Sequence, residues 1–137
     1  PAGAGGNHGR RSDTKVGITS IVGPPVADFQ CALVYDYAMA TGGSVIELCE
    51  RLIQEGIPAI RVECTNGVFV KHALERIAAI PQVREIVTTD TVYLPPERRH
   101  EKLQVLSAAP LFADAIRRNY LRQSIGHLVA CGDADAR

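Results

Sequence analysis

The chain has 137 residues, of which 46% are hydrophobic and 22% charged, and its 15 basic and 15 acidic residues cancel. This length fits one domain with a sizeable core, and the composition is that of a globular protein rather than a disordered or fibrous one. The balanced charge leaves no electrostatic footprint for nucleic acid or an anionic membrane, so we expect neither as a partner.

The composition also argues against membrane, secreted and metal-binding classes. No apolar run approaches the roughly 18 residues of a membrane span, and nothing resembles a signal peptide, so a cytoplasmic location is expected. The cysteines and histidines lack the paired spacing of metal ligands, which favours core roles for three of the cysteines and solvated or structural roles for the histidines. These residues are Cys31, Cys49, Cys64, Cys131, His8, His72, His100 and His127.

The chain begins with a polar stretch and then becomes apolar. Residues 1–14 are Gly-rich and predict a flexible arm. Residues 15–130 are expected to form the single domain, and residues 131–137 a polar tail. Within the domain, "VGITSIV" (16–22) is short and β-branched, which predicts a strand that ends at the Gly-Pro-Pro turn 23–25.

Strands and helices then alternate. The continuous apolar run "CALVYD" (31–36) predicts a strand buried on both faces. The next segment, "SVIELCERLIQEG" (44–56), has apolar residues at helical spacing, with Ser44 placed to cap its start and Gly56 to end it. Two further strands, "IPAIRVEC" (57–64) and "VREIVTTD" (83–90), enclose a predicted helix "VKHALERIAAI" (70–80).

The last third predicts a loop, a strand and a closing helix. The charged loop "YLPPERRHEK" (93–102) reads as solvated surface, and "LQVLS" (103–107) as a short strand. Pro110 suits the first position of a helix over 110–124. Strands that alternate with helices predict an α/β three-layer sandwich, with a mainly parallel sheet and helices on both faces.

A candidate ligand site follows the strand at 31–36, in the stretch "VYDYAMATGGSV" (34–45). Ligands of such sheets bind where strands end, and the free N–H groups and dipole of a helix start favour an anion. Two glycines allow close approach, and the hydroxyls of Thr41 and Ser44 add donors, which together suit a phosphate monoester. Asp36 could accept hydrogen bonds from sugar hydroxyls or help to hold Mg²⁺. The alternative is a tight strand-to-helix turn, with Asp36 as a cap.

This arrangement resembles the phosphoribosyl-binding loop of type I phosphoribosyltransferases, which has two adjacent acidic residues, three spacers and Thr-Gly-Gly-Thr. Further stretches look like the C-terminal half of ribose-phosphate pyrophosphokinase, also called phosphoribosyl pyrophosphate synthetase. They are "TNGVFVKHALERI" (65–77), "VREIVTTDTVYLP" (83–95), "LQVLSAAPLFADAIRR" (103–118) and "QSIGHLV" (123–129). The resemblance runs from about Val16 to Val129.

The resemblance implies transfer of pyrophosphate from Mg-ATP to the anomeric hydroxyl of ribose 5-phosphate. Asp36 would meet the ribose hydroxyls and Mg²⁺, the cofactor that the family uses. The 5-phosphate would be cradled by the turn, which comprises Ala40, Thr41, Gly42, Gly43 and Ser44. A catalytic cation would come from the arm, as Arg10 or Arg11.

Several departures from the family pattern weaken the expectation of catalysis. Tyr37 replaces the second acidic residue, and a phenol is a poor substitute for a carboxylate in binding hydroxyls or Mg²⁺. The position of the family's loop lysine falls near His8 or Gly9, so this lysine is absent. Asn66 stands where the family has a histidine. Family enzymes also carry two similar domains. We therefore expect a truncated or degenerate domain that binds ribose 5-phosphate with little turnover alone.

Two other functions stay open at this point. The chain could be a non-catalytic regulatory partner of a full-length synthetase, or a phosphoribosyltransferase that acts on a nitrogenous base. The latter would need a base-recognising hood, and the arm contains none. A homo-oligomer, or association with a full-length homologue, is expected because a half-enzyme would expose apolar surface.

Overall fold

The computed structural model describes residues 22–129. The predicted arm (1–14) with Arg10 and Arg11, most of the first predicted strand (16–22) and the predicted tail (131–137) lie outside the described residues. In the part of the chain that the structure describes, no helix is long and apolar enough to cross a membrane.

Strands and helices alternate over the described residues, as predicted. The strands are β1 (Ala32–Met39), β2 (Ile60–Gly67), β3 (Val83–Thr89) and β4 (Leu103–Leu106). The α-helices are α1 (Gly43–Gln54), α2 (Ala73–Ala78), α3 (Ala109–Tyr120) and α4 (Gly126–Val129), and single 3-10 turns span Val26–Asp28 and Pro96–Arg98.

The four strands form one parallel sheet in the order β1-β2-β3-β4. Val34 lies beside Val62, Val62 beside Ile86, and Ile86 beside Leu103, so these four residues share one face of the sheet. The predicted α/β class with a parallel sheet is confirmed.

The core lies between that face and the helices α1 and α2. Buried side chains of β1–β3 form one cluster with Val45 and Cys49 of α1 and with Ala73, Leu74 and Ile77 of α2. Each strand is next to its successor in sequence, and right-handed connections between such strands fall on one face of the sheet. The strand order thus explains why α1 and α2 share a single layer.

The opposite face of β1 is open among the described residues. Leu33, Tyr35 and Tyr37 are 60%, 65% and 71% exposed. The expectation that this strand is buried on both faces is therefore wrong for residues 22–129, because both packed helices cover the face that carries Val34.

Several boundaries differ from the sequence-based ones. Ser44 does not cap α1, because Gly42 takes the N-cap position in the left-handed conformation, two residues earlier than expected. Gly56 ends that helix with φ +97°, as predicted. Helix α2 is shorter than predicted, because Lys71 and His72 have φ of 53° and 57° and break the helix start.

The loop at 93–102 is less solvated than expected. Leu94 belongs to the core, with 5% of its surface exposed. Arg98 Nη2 donates to the Phe69 carbonyl over 2.6 Å, and Lys102 Nζ donates to the Ala78 carbonyl over 2.6 Å. The long cationic side chains thus donate hydrogen bonds to backbone carbonyls before and at the end of α2. Residue charge alone predicts solvent exposure and does not reveal these bonds.

Candidate functional site

The turn between β1 and α1 has the geometry that a bound anion requires. The strand ends at Met39, Ala40 and Thr41 form a bend, and Gly42 turns the chain with φ 70° into the helix that starts at Gly43. This positive φ suits glycine, since an L side chain in the left-handed region meets the following carbonyl. Ala40, Thr41, Gly43 and Ser44 are exposed, whereas Gly42 is buried.

The backbone N–H groups at the start of α1 are not used in hydrogen bonds within the described residues. The first helical hydrogen bond runs from Ile46 N to the Gly42 carbonyl over 2.9 Å. Within residues 22–129, the N–H groups of residues 42–45 have no acceptor. The first turn also contains no acidic side chain that would offset the helix dipole. The positive end of α1 is therefore uncompensated among the described residues.

The two glycines of the turn do different things. A Cβ added to Gly42 would lie 2.9 Å from Ile77 Cδ1 and 3.4 Å from Ala73 Cβ, so Gly42 allows the turn to rest on α2. A Cβ added to Gly43 would meet only Thr41 Oγ1, at 3.9 Å. The space in front of Gly43 is open, and this is the space that a phosphate on the helix start would fill.

Asp36 and Tyr37 lie on opposite faces of β1. Asp36 is half-buried and pairs in register with Cys64, on the face that α1 and α2 cover. Burial, together with the charge of Asp36, raises the pKa of the Cys64 thiol, while a hydrogen bond to Thr88 opposes this shift. Tyr37 projects from the open face. The two adjacent side chains of the loop motif therefore do not converge on one ligand atom.

A hydrogen-bonded group of polar side chains joins the carboxyl ends of the first three strands. Asn66 Nδ2 donates to the Tyr37 carbonyl over 3.3 Å, and Thr91 Oγ1 donates to Asn66 Oδ1 over 2.8 Å. Thr89 Oγ1 donates to the Thr65 carbonyl over 2.7 Å. Asn66 thus links β1 to the turn after β3. Asn66 stands out in the sequence as a departure from the family pattern, whereas its partners do not, although Thr89 at the end of β3 and Thr91 just after it form a visible pattern.

Asp90 fixes the next turn along the same edge. Its carboxylate accepts hydrogen bonds from Ser107 Oγ over 2.6 Å and from the Ala108 backbone N–H over 2.7 Å. These two bonds, that of Ser107 first, hold the pKa of Asp90 below its ordinary value. The carboxyl edge of β1–β4 is therefore bound together by side chains from the ends of β2, β3 and β4 and by the Tyr37 carbonyl of β1.

The described residues contain no group of three or more histidine, cysteine, aspartate or glutamate side chains that could hold a metal ion. A shallow cavity of about 300 Å³ is lined by residues that include Arg61, Arg84 and Lys102. It lies at the amino ends of the strands, away from the turn, and it is also lined by Glu85, which pairs with Arg61, and by Glu101. Neither observation moves the candidate site away from the β1–α1 turn.

Comparison with known proteins bears on the fold and the site together. No family model matches the chain. A relative from Streptomyces coelicolor, provisionally assigned as a ribose-phosphate pyrophosphokinase, is 38% identical over 125 residues, which are 91% of this chain and 39% of the relative. The ribose-phosphate pyrophosphokinase of Rhodopirellula baltica is 34% identical over 87% of this chain and 37% of its own.

A solved structure gives the same result in three dimensions. The crystal structure of phosphoribosylpyrophosphate synthetase from Mycobacterium smegmatis superposes with a TM-score of 0.63 and 29% identity, over 67% of this chain and 30% of that one. The resemblance to ribose-phosphate pyrophosphokinases is confirmed. The chain spans less than half the length of the relatives from Streptomyces coelicolor and Rhodopirellula baltica. The fold is that of the phosphoribosyltransferase-like part of such an enzyme.

Proposed function

We propose that the chain is a ribose-phosphate pyrophosphokinase-like domain that binds the 5-phosphate of ribose 5-phosphate at the β1–α1 turn. This proposal rests on the N–H groups of residues 42–45, which have no acceptor within residues 22–129, and on the open space beside Gly43. The exposed Thr41 and Ser44 bring hydroxyl groups to the same turn. The similarity to ribose-phosphate pyrophosphokinases supports this ligand over other phosphate monoesters.

Asp36 is the residue that we assign to the ribose hydroxyls. It lies on the strand that leads into the turn, and its carboxylate can only accept hydrogen bonds when ionised, which suits sugar hydroxyls. Asp36 is also the residue through which the site could meet Mg²⁺. Magnesium is usually held by one or two carboxylates together with substrate phosphates. One carboxylate, with Tyr37 on the other face, fits a magnesium ion that arrives with its phosphates and not a preformed protein cage.

We further propose that the chain alone catalyses little transfer of pyrophosphate. The transfer of pyrophosphate from ATP depends on cations placed at the transferring phosphates, and losing one such contact costs ~10³-fold or more in rate. Tyr37 also weakens the metal-binding side of the turn. A cytoplasmic location and a homo-oligomer belong to the same proposal and stay predictions.

A non-catalytic regulatory partner of a full-length synthetase is the second candidate. The observation that favours it is the open face of β1, where Leu33, Tyr35 and Tyr37 are more than half exposed. Transfer of the sugar to a nitrogenous base has no specific observation in its favour among residues 22–129.

The first test is a titration of the chain with ribose 5-phosphate, followed by calorimetry or by phosphorus NMR. We expect binding in the millimolar range or weaker, with little enhancement by Mg²⁺. Gly43→Val should abolish it, because the side chain fills the space that the phosphate needs. The fold should persist, because a Cβ at Gly43 meets only one atom, at 3.9 Å.

Gly126→Val is the matched control, because Gly126 also begins a helix and the same change there leaves the β1–α1 turn untouched. Binding by Gly43→Val with the affinity of the parent chain would remove the turn as the phosphate site.

A further inference from the structure

Arg76, on α2, reaches the turn that joins β1 to α1. Its Nη1 atom donates a hydrogen bond to the Thr41 carbonyl oxygen over 3.4 Å. The next residue of the turn, Gly42, rests on the same helix, since a Cβ there would lie 3.4 Å from Ala73 Cβ. The guanidinium of Arg76 is therefore held beside the residues that make the proposed phosphate site.

This guanidinium pairs with no carboxylate within residues 22–129. Arg51, Arg61, Arg117 and Arg118 form ion pairs with carboxylates there, whereas Arg76 forms none. The neighbouring Glu75 faces His72, with 3.7 Å between Oε1 and Nδ1. The bond to Thr41 is longer than the usual range of about 2.7–3.2 Å, so Arg76 gives up little by turning to a stronger acceptor.

The charge of Arg76 adds to a field that already favours an anion. The first turn of α1 carries no acidic side chain, so its N–H groups and the guanidinium present positive charge to the same region. The planar fork of arginine matches two oxygens of a phosphate group, and such charged bonds are about twice as strong as neutral ones.

We propose that Arg76 is a further binding residue for the 5-phosphate, with its guanidinium turning from the Thr41 carbonyl to the phosphate oxygens when the ester binds. The inference rests on the proposed function, because it requires a phosphate monoester at the turn. The N–H groups of residues 42–45 fix the position of the phosphate, and Arg76 supplies its countercharge.

The test compares Arg76→Ala with Arg84→Ala, which removes the same charge from an exposed arginine at the amino end of β3. Ribose 5-phosphate is the probe. We expect at least roughly tenfold weaker binding for Arg76→Ala and almost no change for Arg84→Ala, since a hydrogen bond to a charged group is lost only in the first. Arg76→Lys should fall between, because lysine keeps the charge and loses the fork. Added salt should weaken binding less steeply in Arg76→Ala than in the parent chain.

Three results would overturn the role of Arg76. Parent-like binding by Arg76→Ala, while Gly43→Val binds nothing, would do so and leave the proposed function standing. Equal losses in Arg76→Ala and Arg84→Ala would reduce the effect to overall charge. A loss with unchanged salt dependence would make Arg76 a brace for Thr41 only. If Arg76→Ala unfolds, Arg76→Gln decides by the same criteria. Absence of binding by the parent chain would overturn the proposed function as well.

Discussion

Asp90 is a single side chain whose charge holds two segments together. Its carboxylate binds Ser107 and the Ala108 N–H, and so joins the end of β3 to the start of α3. These bonds lower the pKa of Asp90. The folded pKa lies below the unfolded one, so the charged carboxylate stabilises the fold above its ordinary pKa of 3.8. That contribution is lost as the pH falls through the lower, folded value.

Asp90→Asn should therefore lower the melting temperature most at neutral pH, because the neutral amide cannot accept both bonds as strongly. As the pH falls through the lowered pKa of Asp90 and its carboxylate becomes protonated, the difference between the two proteins should shrink. Thermal unfolding followed by circular dichroism between pH 2.5 and 7 measures this. Asp28→Asn, at a residue with no side-chain hydrogen bond among the described residues, is the control. A difference that stays constant with pH would refute the assignment.

One glycine, Gly42, fixes both the backbone conformation and the packing at the start of α1. Gly42 combines a φ of 70° with close packing on Ile77 and Ala73. Gly43 has no such constraint, although it is the next residue and the same amino acid. The two positions therefore separate the conformational role of glycine from the open space that a ligand would fill.

Gly42→Ala should destabilise the fold by about 1–2 kcal/mol from the left-handed backbone alone, with a further cost as Ile77 Cδ1 gives way. Gly43→Ala should instead stabilise it by about 0.4–1 kcal/mol, since alanine fits a helical position and loses less entropy on folding. Urea unfolding of the two variants measures both free energies. Equal effects would show that the turn is not held in the way described.

Helices and strands could be predicted from the sequence where the apolar pattern extends over the whole element, as in α1 and β3. The helix α2 was overestimated because the apolar spacing of Val70, Ala73 and Leu74 looks helical, whereas positive φ at Lys71 and His72 interrupts the helix. At the site, the turn and its glycines were predictable from their pattern. The partners of Asn66 and the reach of Arg76 to Thr41 were not, because both depend on register between strands and helices far apart in sequence.

On the scale of the whole molecule, residues 22–129 leave large apolar side chains exposed on two surfaces. Leu33, Tyr35 and Tyr37 lie on the open face of β1, and Phe112, Ile116 and Tyr120 form an exposed stripe at helical spacing along α3. Surfaces of this kind usually mark contacts with another chain or another part of the same chain. The expected oligomer, and the alternative role as a partner of a full-length synthetase, both draw on this surface.

Analytical ultracentrifugation should show the chain as a dimer or larger at high micromolar concentration. Leu33→Lys combined with Tyr35→Lys should shift it toward the monomer, because charges on the open face oppose its burial. Arg61→Lys, on the same face at an existing charge, is the control. Co-sedimentation with a full-length ribose-phosphate pyrophosphokinase in preference to self-association would favour the regulatory role. A clean monomer of the parent chain would contradict the oligomer.

The simple strand order has a consequence for how the chain is made. Because β1, β2, β3 and β4 lie side by side in the order of translation, each new strand emerging from the ribosome finds its neighbour already present. Each neighbouring pair is joined by a single crossover connection, so less chain has to be closed into a loop before pairing than in a sheet whose strand order jumps. Among the described residues, the sheet can therefore be assembled in the order of synthesis, and the turn after β1 is complete once α1 and α2 have docked.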